Sequence, residues 1–85
     1  MTARMHEVEL LELLCKHEVL RLRGYSFAIG PKGGVVIDRW GHVRGMWRYK
    51  NDRFSWTPAS HTSSVHWSED AEAAVRYTLV ALTVG

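Results

Sequence analysis

Val35-Val36-Ile37-Asp38-Arg39-Trp40-Gly41-His42-Val43-Arg44-Gly45-Met46-Trp47-Arg48-Tyr49-Lys50-Asn51-Asp52-Arg53-Phe54-Ser55-Trp56-Thr57 sets two turn signals between runs of alternating residues. Asp38 and Gly41 suit the first and fourth positions of a type I turn. A three-residue loop with Gly41 in the left-handed region then predicts a hairpin. Its register places Asp38 opposite His42, Ile37 opposite Val43 and Val36 opposite Arg44. A two-residue loop at Asn51-Asp52 predicts a second hairpin, with Lys50 opposite Arg53, Tyr49 opposite Phe54 and Trp47 opposite Trp56. Strand side chains alternate, so both hairpins must agree on which residues face the core. They do. Val35, Ile37, Val43, Gly45, Trp47, Tyr49, Phe54 and Trp56 form one apolar face, and Val36, Asp38, His42, Arg44, Met46, Arg48, Lys50, Arg53, Ser55 and Thr57 form a polar one.

Working outward, Ser26–Ile29 reads as a further short strand, joined to Val35 by the loop Gly30-Pro31-Lys32-Gly33-Gly34. Residues 5–22 read as a helix whose core face carries Val8, Leu11, Cys15, Val19 and Leu22, widened by Leu10, Leu13, Leu14 and Leu20. Arg21, Arg23 and then Gly24 are stop signals. Residues 58–67 are polar and aperiodic and read as a loop. Ser68 reads as the N-cap of a helix over 69–83, with Ala71, Val75, Leu79 and Leu82 as its buried stripe. The expected fold is a small two-layer α+β domain over residues 1–85. Its three- or four-stranded antiparallel meander carries the N- and C-terminal helices on one face, α-β-β-β(-β)-α.

Eighty-five residues leave room for one core. The single cysteine, Cys15, excludes an internal disulfide and a multi-cysteine zinc site; it is expected to be buried and poorly reactive. No signal-peptide pattern and no spanning apolar run is present, so the expectation is a cytoplasmic protein with no membrane partner.

The glycine-rich loop lacks P-loop spacing and leads into a strand, which excludes the phosphate-binding motif. His6, His17, His42, His61 and His66 are scattered without metal-ligand spacing. The run of Ser60, His61, Ser63, Ser64 and His66 before Glu69 and Asp70 is the one place where a small hydrolase or metal-dependent enzyme could be centred, but it carries no nucleophile-elbow pattern. No catalytic, cofactor or metal residue is therefore assigned.

Charge is the clearest feature. Residues 21–53 hold eight bases and two acids, whereas each flank carries an excess of two acids. The candidate binding surface is Arg39, Trp40, His42, Arg44, Arg48, Lys50 and Arg53. The expected function is a non-catalytic binding or interaction module. Its partner would be a protein, a second copy, or a nucleic acid attracted by the cationic sheet face, although the aromatics read as pointing the other way. Nothing in the sequence bears on a small-molecule ligand.

Overall fold

The computed structural model describes residues 3–83. The elements are α1 (Ala3–Cys15), α2 (Glu18–Leu22), β1 (Tyr25–Ile29), β2 (Val35–Arg39), β3 (His42–Lys50), β4 (Arg53–Pro58), β5 (His66–Ser68) and α3 (Ala71–Thr83). The five strands form one antiparallel sheet in chain order, β1-β2-β3-β4-β5. The α+β layout is thus the expected one, with a fifth strand added. α1 packs on β1, β2 and β3 and against α3, and α3 also meets β5.

The β3–β4 hairpin has the predicted register: Lys50 faces Arg53, Tyr49 faces Phe54 and Trp47 faces Trp56. Asn51 and Asp52 have φ of 55° and 64°, the two left-handed residues of a type I′ turn. Asn and Asp tolerate that region better than other side-chain-bearing residues, because a short polar side chain bonds locally.

The β2–β3 hairpin differs from expectation. Its loop has two residues, Trp40 and Gly41, again with positive φ (53° and 85°). Arg39 therefore faces His42 and Asp38 faces Val43. A type I′ loop matches the strand twist, which favours it over the longer loop. This pairing alone would turn Gly45 and Trp47 outward. A bulge between Ile37 and Asp38 takes up Arg44 as an extra residue, and Ile37 pairs with Gly45 and Val35 with Trp47. Val43 is consequently not a core residue: it lies beside Asp38, 53% exposed.

Trp47 is the centre of the core and is fully buried. Its ring meets those of Phe54, Trp56, His66 and Tyr77 at centroid distances of 5.3–6.3 Å. Its indole N–H donates to Thr78 Oγ1 (2.8 Å), and that hydroxyl donates to the Ala74 carbonyl (2.8 Å), so the buried polar atoms are paired. Gly45 has no side chain because the Trp56 ring occupies the space: a Cβ there would lie 2.4 Å from it.

The first helix is broken at Lys16-His17, and its buried face is only part of the predicted stripe: Leu10, Leu14 and Leu20 are in the core as expected, with Leu11 and Leu13 packed against it. Leu10 and Leu14 are fully buried with Glu7 beside them, whereas Cys15, Val19 and Leu22 are exposed. Leu20 lies six residues after Leu14, about 240° around a continuous helix. The break rephases α2 so that Leu20 also reaches the core. Cys15 is thereby left outside the core, contrary to the expectation of burial. At the other end, the cap of α3 is Asp70, whose carboxylate accepts from the Ala73 N–H (2.8 Å), and not Ser68, which is buried in β5.

Candidate functional site

The pairing registers assign every strand residue to a face. Tyr25, Ile37, Trp47, Phe54, Trp56 and His66 look toward the helices. Ser26, Ala28, Val36 and Asp38 of β1 and β2 look the other way, as do Met46, Arg48 and Lys50 of β3, Arg53, Ser55 and Thr57 of β4, and Trp67 of β5. Arg48, Lys50 and Arg53 are exposed there, as parity predicts. Arg44, the extra residue of the bulge, is exposed beside Asp38.

Three members of the sequence-derived surface lie elsewhere. Arg39 and His42 form the pair that closes the β2–β3 turn, on the face of Tyr25 and Ile37. The Arg39 guanidinium sits over the rings of Tyr25 (5.1 Å) and Trp40 (4.1 Å), and its Nε donates to the Arg23 carbonyl (2.8 Å). Trp40 stands at the hairpin tip, 73% exposed, with its ring edge against Gly24. The predicted surface therefore divides into a sheet group (Arg44, Arg48, Lys50, Arg53) and a tip group (Arg39, Trp40, His42).

The residue that sequence reading missed is Trp67. Residues 58–67 read as loop, but His66–Ser68 pair with β4, and Trp67 lies opposite Ser55 on the outer face. It is 46% exposed, and the Arg53 guanidinium lies over its ring at 5.2 Å. Together with Lys50, Ser55, Ser63 and Ser64 these two residues enclose a hollow of about 380 Å³. The loop between β4 and β5 forms its wall. That loop is tied down by Ala59 N–H to the Arg44 carbonyl (3.0 Å), Val65 N–H to the Trp56 carbonyl (2.9 Å), and a Thr57–Ser64 hydroxyl pair (3.1 Å).

A second missed residue is Glu7. Its carboxylate is buried and accepts from the Gly34 N–H (2.8 Å) and the Tyr49 N–H (3.0 Å). β2 starts at Val35, opposite Trp47, so Tyr49 lies beyond its reach, and Glu7 supplies the missing acceptor. Its spacing of three and seven residues before Leu10 and Leu14 is the signal that places it on their face.

The two histidines of the enzyme-like loop have separate surroundings. The His61 ring bonds to its neighbour Ser60 (3.2 Å) on the surface, and its backbone N–H donates to the Pro58 carbonyl (3.0 Å). His66 is stacked on Tyr77 (3.7 Å between centroids, 5° between planes) and bonds to Ser68 (3.2 Å). Neither has a carboxylate among these partners. Among the described residues, no group of three or more His, Cys, Asp or Glu is placed to hold a metal ion, and no helix is long and apolar enough to cross a membrane. Compared with known proteins, the chain matches no family model, no curated protein and no solved structure.

Proposed function

We propose that the domain is a non-catalytic binding module and that the outer sheet face engages single-stranded nucleic acid. One observation carries this reading: an exposed indole, Trp67, with a guanidinium over it, beside the outward-facing Arg48 and Lys50. Single strands bind where cations meet the backbone and aromatic rings stack on bases. Residues two apart on a strand stand about 6.8 Å apart, a spacing close to that of phosphates in an extended strand. Arg48 and Lys50 have it. The partner is single-stranded because a duplex buries its base faces and leaves Trp67 nothing to stack on.

The test is fluorescence anisotropy with single-stranded and duplex oligonucleotides at low and moderate salt. Single strands should bind more tightly, binding should weaken as salt rises, and the double variant Arg44→Glu/Arg48→Glu should lose it. Absence of binding at low salt eliminates this reading.

A second reading, a protein-docking module, rests on Trp40. A bulky residue at positive φ costs about 1–2 kcal/mol, and this one stays 73% exposed, so burial does not offset the cost. Residues kept in strained backbone cluster at binding sites. If nucleic acid does not bind, the tip group is where a protein partner is to be sought.

A further inference from the structure

We infer that the hollow beside Trp67 is an end-binding site, which takes the terminal phosphorylated nucleotide of a single strand; this rests on the reading of the outer face given above. Four observations lead there.

The first is composition. Lys50 and Arg53 supply two cations, Asn51 an amide and Ser63 an exposed hydroxyl; Ser55 and Ser64 also line the hollow, their hydroxyls bonded to the Arg48 carbonyl and to Thr57, and no carboxylate does. That donor set suits an anion with several oxygens. The second is the ring. Trp67 forms one side of the same hollow, which joins a stacking platform to the anion donors over the dimensions of one nucleotide. The third is the wall. β5 is the edge of the sheet, and the 59–65 loop is fixed by three hydrogen bonds alongside it. A strand lying across β3 and β4 meets that wall and stops.

The fourth is charge. An internal phosphodiester carries one negative charge and two free oxygens. A terminal phosphomonoester carries about 1.5 to 2 charges at neutral pH and three acceptor oxygens. Two cations with the Asn51 amide and the Ser63 hydroxyl beside them match the monoester. The hollow therefore discriminates ends from interior, whereas the Arg44–Arg48 row treats all phosphates alike.

The experiment uses the full chain and unlabelled ten-nucleotide single strands ending in a 5′-phosphate, a 3′-phosphate or hydroxyls only. Each competes with one internally labelled strand. Two added charge-assisted hydrogen bonds should make one of the phosphate-ended strands bind about tenfold more tightly than the hydroxyl-ended one. Which end responds gives the direction of the strand. The readout is this ratio, in which any general change in strand affinity cancels. Ser63→Asp, an exposed loop position, puts a negative charge in the hollow and should bring the ratio to one or below. A ratio of one in the wild type, with the hydroxyl-ended strand still bound, overturns end recognition and leaves the outer face as a strand-binding surface. No binding of any strand overturns both.

Discussion

The two faces of the sheet are built from the same strands and put to opposite use. On the inner face, rings are consumed by other rings: Trp47 alone meets Phe54, Trp56, His66 and Tyr77, and its N–H is bonded as well. On the outer face, Trp67 has a cation over it and is 46% exposed, and Arg48 and Lys50 are exposed. A group that packing has fully used cannot also bind a partner. The proposed binding face is therefore the one where alternation left long side chains exposed.

Substitutions should separate the faces sharply. Trp47→Ala opens a cavity under both helices and removes the donor to Thr78; it should cost about 3–5 kcal/mol. That is comparable to the whole stability of a domain this small, so the variant should be largely unfolded by circular dichroism. A cooperative transition near that of the wild type would contradict the place of Trp47 at the centre. Glu7→Ala comes next. It leaves the N–H groups of Gly34 and Tyr49 without an acceptor, at about 1–3 kcal/mol for each buried group. Amide exchange at these two positions should accelerate more than in β2 and the rest of β3; a uniform change would mean that Glu7 acts only through general packing.

The outer face should respond hardly at all. Arg44→Glu/Arg48→Glu should shift stability by no more than about 0.5 kcal/mol per site, as surface changes do, when followed by urea denaturation. A large loss would show that the face is structural. The smallest effect is expected at Cys15: being exposed, it should react with a thiol reagent in the native state at close to the denatured rate. Labelling only after unfolding would restore it to the core.

How much of this the sequence revealed varies with how local the cause is. The Asn51-Asp52 turn was legible because both residues favour the backbone that the turn needs, and from it followed the Trp47–Trp56 pair and the outward placement of Arg48, Lys50 and Arg53. The Trp40-Gly41 turn was not, since a tryptophan at positive φ runs against its own preference. With that turn misread, Val43 and His42 were assigned to the wrong faces. β5 was hidden because three residues, His-Trp-Ser, carry no alternation of their own and become a strand only by pairing with β4. Trp67, the centre of the candidate site, was hidden with it. The helix face was legible at Leu10, Leu14 and Leu20 but not at Glu7, Cys15, Val19 and Leu22, because the buried stripe includes a glutamate and its phase is reset at His17, both consequences of tertiary contact.

The central claim is that a partner is held on the outer face, around Trp67. The most direct test is an amide and indole chemical-shift map recorded while a single-stranded oligonucleotide is titrated into the isotope-labelled protein. The predicted perturbations centre on Arg48, Lys50, Arg53 and the Trp67 indole N–H, with the buried Trp47 indole N–H unmoved. Shifts confined to Arg39, Trp40 and His42, or no shifts at low salt, would contradict it.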